Sequence, residues 1–208
     1  MSALLVIGAG GHGRVVADAA MTMGVWSTIS FVDDRTNTAN LLGLELVGRT
    51  SDLERLTRTH HAAVVALGDV RARLQRLEAC AQFGYDLPAI VHRSAVVSRF
   101  ASIGAGSVVC AQAVVNPGAA LGRACIVNTG ATVDHDCTLE DGVHVCPGAH
   151  VAGDVRVGAR TWIGIGSCVR QGVRIGADVM VGAGAAVVCD IVDNLTVVGV
   201  PARARLRD

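Results

Sequence analysis

The chain has 208 residues, room for one large domain or two modest ones, and its 51% apolar content allows a substantial core. Its 18 basic and 18 acidic side chains cancel, which argues against a nucleic-acid surface built on basic excess. Aromatic residues make up only 3%, so the core is expected to consist of small and branched aliphatics, as suits a narrow coil.

The first segment, Ala3 to Ile7, is an apolar run too short to span a bilayer and preceded by no basic leader. It ends in Gly8-Ala9-Gly10-Gly11-His12-Gly13, and a helical pattern follows with Val15, Val16, Ala19 and Met23 on one side and Gly24 as its stop. Thr28 to Val32 reads as a second strand closed by Asp33 and Asp34. Strand, glycine turn, helix, strand and acidic end form a βαβ unit of ligand-binding character, with Gly8, Gly10 and Gly13 supplying a GxGxxG match. Backbone N–H groups of such a turn suit a phosphate, and His12 inside it is placed for a phosphate or a sugar. Gly43 to Val47 is expected as a further short strand, and Ser51 with Glu54 as a capping box. Ala62 to Leu67 should be a buried strand ending at Gly68. Arg71 to Phe83 should be a helix with Leu74, Leu77, Cys80 and Ala81 inward and Gly84 at its end. Residues 1–90 therefore read as a small α/β, Rossmann-like domain with a parallel sheet.

The second part, residues 91–208, obeys a different rule. From Val97 through Val133 and Val145 to Val187, an aliphatic residue returns every six positions without an insertion or deletion. Neither a helix nor a flat strand has that period, whereas one side of a triangular parallel β-coil does. The coil is expected to begin at His92. Glycines directly after the aliphatics, such as Gly104, Gly122, Gly164 and Gly182, are expected to make its corners. Gly199 to Ala202 is expected as a turn in the tail, followed by basic Arg203, Arg205 and Arg207.

Polar residues stand out against this aliphatic rhythm. Asn128, Thr129, Asp134, His135 and Asp136 crowd one turn, and His144 follows nine residues after His135, on another side of the triangle. An imidazole at His135 suits a general base, with Asp134 or Asp136 to orient it. The histidine spacing matches no metal-ligand motif, and no metal is expected. Arg156, Arg160, Arg170 and Arg174 either ring an anionic ligand or wet the outer surface. The seven cysteines are odd in number and include no CxxC, so a reducing, cytoplasmic setting is expected.

Taken together, Gly10-Gly11-His12-Gly13, Phe31-Val32-Asp33-Asp34, the segment from Asn128 to Asp136, and Val143 to Gly148 resemble the sialic acid O-acetyltransferase and bacillosamine-pathway N-acetyltransferase family. These are hexapeptide-repeat acyltransferases. The resemblance spans nearly the whole chain and implies a left-handed β-helix that trimerises, with acetyl-CoA between neighbouring coils. It implies His135 as general base with Asp136 beside it, His144 approaching the acetyl thioester, and the Gly153 N–H as oxyanion donor. Ile165 and Ala183 would line the coenzyme site, and Gly11, His12, Gly13, Asp33, Asp34 and Gly68 would face a nucleotide-linked sugar. The implied activity is N-acetylation of a 4-amino-4,6-dideoxy sugar in glycan or surface polysaccharide synthesis. O-acetylation of sialic acid or a related sugar, and a non-catalytic assembly or binding solenoid, remain the alternatives. A covalent route through Cys146 is disfavoured, since it follows an inward aliphatic.

Overall fold

The computed structural model describes residues 2–35 and 41–205, so Arg207 of the basic tail lies outside the described residues. The apolar run forms a fully buried strand, β1 (Ala3–Ile7). Helix α1 (Gly11–Met23) starts after the glycine turn and closes at left-handed Gly24, whose N–H donates to the Met21 carbonyl. Strands β2 (Thr28–Val32), β3 (Glu45–Gly48) and β4 (Ala62–Val65) complete a parallel sheet in the order β3-β2-β1-β4. Short α2 (Leu53–Leu56) lies between β3 and β4, and α3 (Val70–Gln82) follows β4.

Four local expectations are corrected. Gly43 is taken up in a turn in which the Leu44 N–H donates to the Leu41 carbonyl, so β3 starts two residues later than expected. In place of a Ser51–Glu54 capping box, the Asp52 carboxylate accepts the Arg49 N–H at 2.8 Å. On α1 the buried stripe is Val16, Ala17, Ala19 and Ala20, and Val15 is 42% exposed. On α3 Ala81 is exposed, and the buried stripe is Arg73, Leu77 and Cys80 at helical spacing.

From Ile90–Val91 onward the chain forms two-residue strands, so the coil begins two residues before the expected His92. They stack into sheets of five, eight and six strands, parallel except for the last strand of the eight, the three faces of a left-handed β-helix. Residues eighteen apart sit in register: Ile126 on His144, and His144 on Trp162. The six-residue aliphatic series is the inner lining, and residues from Val109 to Val187 form one continuous buried column.

The corners are not where the sequence suggested. The left-handed residue stands three places after each inward aliphatic from Ile103 to Val181, with φ between 52° and 76° at positions that include Gln112, Ala124, Asp136 and Gly166. The glycines directly after the aliphatics serve close coil-to-coil approach instead. A Cβ on Gly164 would lie 2.3 Å from the Val181 carbonyl oxygen.

The α/β part sits on the start of the eight-stranded face. Ile90, Val108 and Cys110 of the coil share an apolar cluster with Leu4 of β1 and Val16 of α1, and Ala124 packs with Leu77 and Cys80 of α3. At the far end Thr196–Val198 extends the eight-stranded sheet, and Gly199 to Ala202 turn the chain into antiparallel Arg203–Ala204. Among the described residues, no helix is long and apolar enough to cross a membrane.

Candidate active site

His135 stands on the edge that follows the six-stranded face, two residues after inward Val133. The next residue, Asp136, occupies a left-handed corner at φ 58°, which turns its carboxylate back toward the ring. Nδ1 of His135 lies 2.8 Å from Asp136 Oδ2. An ionised carboxylate only accepts, so Nδ1 carries the proton and Nε2 keeps its lone pair. Asp134 accepts the His135 backbone N–H at 2.8 Å and the Asn116 amide at 2.7 Å, which fixes the loop from below. The Asp136 hydrogen bond first, and the charges of Asp134, Asp136 and Asp154 with it, raise the His135 pKa above its ordinary value. The ring lies over Gly153, where a Cβ would come within 2.5 Å of Nε2. Any other residue at 153 would push the imidazole away.

His144 has the opposite surroundings. It is buried on the eight-stranded face, edge-on to the Trp162 ring at 4.2 Å between centroids, and its Nε2 is 3.1 Å from the Asn128 amide nitrogen. The amide donates, so Nε2 accepts and Nδ1 carries the proton. His12, in the first turn of α1, faces it with ring centroids 6.4 Å apart. Nδ1 of His144 and Nε2 of His12 are both buried without a hydrogen-bond partner. Burial first, then the charge of Arg73, lowers the pKa of His144 to about 3 and that of His12 to about 4. Both rings are neutral at physiological pH. Burial also pushes the Cys146 thiol up to about 12, which leaves it protonated beside this site.

The glycine loop and the ends of β1 and β2 frame a third region. Asp33 accepts the Ala9 N–H at 2.7 Å and holds the Arg35 guanidinium through both oxygens. The Arg35 hydrogen bond is the main cause that keeps the Asp33 carboxyl well below the usual range. Asp34 accepts from the N–H and hydroxyl of Thr50, each at 2.8 Å. With Gly8, Leu67 and Arg76 these residues line a cavity of about 440 Å³ beyond the carboxyl ends of the strands, the usual ligand position in an open parallel sheet. Gly11 is open, with nothing within 4 Å of a Cβ position. Gly13 is a packing residue, since a Cβ there would lie 1.9 Å from the Gly8 carbonyl oxygen. Gly68 accepts a hydrogen bond from Arg73 at 3.1 Å.

Ile165 and Ala183 are exposed and stacked eighteen residues apart on the edge that follows the eight-stranded face. Between this edge and the His135 edge runs the six-stranded face, with a groove of about 410 Å³ lined by Asn116, Thr132, Asp134, His150 and Cys168. Within one chain, then, His144 is brought together with His12, Asn128 and Trp162, and His135 with Asp136 and Gly153. The two histidines are on different faces. Of the four late arginines, Arg160 is committed to Asp178, and Arg156 and Arg174 stack in register on the five-stranded face. Among the described residues, no group of three or more His, Cys, Asp or Glu is placed to hold a metal ion.

Sequence reasoning passed over Arg73 and Trp162. Arg73 was hidden as one arginine among several in a charged helix, although its three- and four-residue spacing to Leu77 and Cys80 was a signal. Trp162 was readable as the outward neighbour of inward Ile163, eighteen residues after His144.

A glycine-loop α/β unit seated on a left-handed β-helix, with an exposed histidine–carboxylate pair at a coil edge, defines the hexapeptide-repeat acyltransferase class. The family model described as the PglD N-terminal domain matches residues 3–80. The acetyltransferase domain of PglB from Neisseria gonorrhoeae FA1090, solved in complex with acetyl coenzyme A, is 47% identical with a TM-score of 0.94, covering 98% of this chain and 98% of that one. PerB from Caulobacter crescentus, solved with CoA and GDP-perosamine, is 37% identical with a TM-score of 0.91, covering 99% of this chain and 98% of that one. WeeI from Acinetobacter baumannii AYE is 26% identical with a TM-score of 0.90, covering 99% of this chain and 100% of that one. No curated protein sequence matches the chain. The chain belongs to the nucleotide-sugar N-acetyltransferase family of hexapeptide-repeat enzymes.

Proposed function

We propose that the protein transfers the acetyl group of acetyl-CoA to the amine of a nucleotide-linked 4-amino-4,6-dideoxy sugar in glycan or surface polysaccharide synthesis. The observation that carries this reading is the His135–Asp136 contact at 2.8 Å, which leaves Nε2 as an exposed proton acceptor over Gly153. Bound acetyl coenzyme A in the PglB domain, and bound CoA and GDP-perosamine in PerB, support the two substrates.

The roles follow from the chemistry of acyl transfer. The sugar amine attacks the thioester carbonyl carbon, and His135 takes the proton that the nitrogen loses. Asp136 holds the ring and offsets the charge of the imidazolium. The carbonyl oxygen becomes an oxyanion, for which the Gly153 N–H is the assigned donor. As the tetrahedral species collapses, the C–S bond breaks and the CoA thiolate regains a proton from His135. His144, neutral and fixed by Asn128, approaches the thioester as a hydrogen-bonding group and does not take up the proton. Ile165 and Ala183 line the coenzyme, while Gly11, His12, Asp33, Asp34 and Gly68 line the nucleotide sugar and Gly13 packs the turn that holds them. On this reading residues 1–90 select the sugar nucleotide and residues 91–208 carry the transfer, in the cytoplasm where acetyl-CoA is made.

The assembly assigned here is a homotrimer with the site between subunits. Outward residues of the six-stranded face are Val96, Val114, Thr132, His150, Cys168 and Ala186, with no acidic or arginine side chain among them. The five-stranded face presents Arg156 and Arg174 instead. In a closed ring of identical subunits the contact is heterologous, so the Ile165 edge of one subunit meets the His135 edge of the next. That supplies the base which a single chain keeps away from His144. The deciding experiment offers UDP-, GDP- and dTDP-linked 4-amino sugars and their 4-hydroxy counterparts with acetyl-CoA and reads CoA release. Turnover of at least one amine is expected; turnover of hydroxyl sugars alone would replace the reading with O-acetylation, and none at all would sink it.

A further inference from the structure

Arg73 is the one arginine buried almost completely, at 1% exposure, among the described residues. It projects from the first turn of α3, which Asp69 caps by accepting the Ala72 N–H at 2.7 Å. Its guanidinium makes four hydrogen bonds, all to backbone carbonyls. NH1 donates to Leu67 and Gly68, at 2.8 and 3.1 Å, in the loop that follows β4. Nε donates to Ala124 at 3.0 Å and NH2 to Gly142 at 2.9 Å. Ala124 and Gly142 are left-handed corners of successive coil turns, eighteen residues apart. His144 begins its strand two residues after Gly142.

Such a site is costly to build. A buried guanidinium held by carbonyls alone, with no carboxylate in contact, retains much of its desolvation penalty. Burial lowers its pKa only to about 10, so it remains charged at neutral pH. A methionine or leucine would fill the same space without that penalty. What an apolar residue could not do is tie one loop and two coil corners into a fixed geometry through one planar group.

We propose that Arg73 is a positioning residue for the nucleotide sugar, acting by locking the Gly68 loop to the two successive coil turns that carry Asn128 and His144. The inference rests on the assignment of Gly68 and His12 to the sugar side and of His144 to the acyl side. Arg73 touches neither reactant. It sets the distance across which the sugar amine meets the thioester, and its positive charge faces His12 and His144, which favours their neutral forms. Coenzyme contacts at Ile165 and Ala183 lie on a different edge and are outside its reach.

The test compares Arg73→Lys and Arg73→Met with wild type. Lysine keeps the charge but cannot bridge three backbone segments, so KM for the nucleotide sugar should rise about tenfold while KM for acetyl-CoA stays within about twofold. Amide hydrogen exchange should accelerate in the Leu67–Gly68 loop and in the coil corners it clamps, residues 124–126 and 142–145, together, at an unchanged rate in the later coil turns. Equal rises in both KM values, or no change in either, would overturn the proposal. So would unchanged exchange in those segments in Arg73→Lys, a readout that needs no substrate. If wild type turns over no member of the sugar panel, the functional reading fails while the exchange experiment still decides the positioning role. Should Arg73→Met not fold, the lysine variant carries the test alone.

Discussion

Two histidines nine residues apart are driven in opposite directions by their surroundings. His135 is solvated and hydrogen-bonded to a carboxylate, and its pKa rises; His144 is buried beside a cation, and its pKa falls to about 3. A group that must accept a proton in each cycle belongs in the first setting, and one that must stay neutral belongs in the second. Replacing His135 by alanine should lower kcat by roughly a hundredfold to ten-thousandfold, as loss of a general base does, with the melting temperature little changed. Asp136→Asn is more discriminating. It removes the largest cause of the raised His135 pKa, so the acidic limb of the kcat/KM profile should move to lower pH while the plateau falls. A limb that stays in place would show that it reports the substrate amine and not His135. Of these residues, the sequence made the pair legible by adjacency and left the choice between Asp134 and Asp136 open. Their orientations could not be read, because they depend on which residue takes the left-handed corner. Arg73 was illegible for a stronger reason: its partners are backbone carbonyls, and a carbonyl has no residue type to recognise.

At the level of elements, the informative boundary is where the first turn of α1 meets the eight-stranded face. The six-residue period was plain because inward positions tolerate only aliphatics, and it located every strand from Val97 to Val187. Corner positions were less plain, because glycine serves two unrelated needs in the coil: left-handed backbone and close stacking. The contact itself left no periodic trace, since His12 and His144 come from parts of the sequence with different rules. It has a thermodynamic consequence. Both imidazoles have folded-state pKa values, about 4 and about 3, below the unfolded value of 6.5. Below pH 6.5 the unfolded chain therefore binds more protons than the folded one, and stability falls as pH drops toward those folded values. Above the unfolded value neither group contributes. Each histidine adds a slope of up to about 1.4 kcal/mol per pH unit within its window. His135, with its raised pKa, acts in the other direction and favours the folded state at low pH. It is largely exposed, so its effect is small. Urea unfolding at about pH 7.5 and about pH 5.5 should show the loss, and His144→Asn should reduce the difference by removing one titrating group. Equal midpoints at the two pH values would rule out the buried neutral pair.

For the whole molecule, the question is which chain supplies each half of the site. His135 and Gly153 occupy one edge of the six-stranded face, and Ile165 and Ala183 occupy the other, with His144 further round on the eight-stranded face. A coil with two-residue strands and no excursion between them has no lid or loop that could carry either histidine to the other. On the proposed assembly closure comes from a second copy, and a three-fold ring would bring the two edges together at each of three contacts. Complementation separates this arrangement from one in which each chain works alone. Chains with His135→Ala and chains with His144→Asn are each expected to be nearly inactive. Co-expressed and purified together without selection for mixed trimers, they form some contacts in which His135 comes from the second kind of chain and His144 from the first. Random assortment in equal amounts makes about a quarter of the contacts fully equipped, so activity should return to about a quarter of wild type. If both histidines of a working site came from the same chain, no mixture would contain an intact site and activity would stay at the level of the variants. The value recovered, more than its mere presence, tests the heterologous ring: it should vary as the product of the two chain fractions and peak at equal amounts.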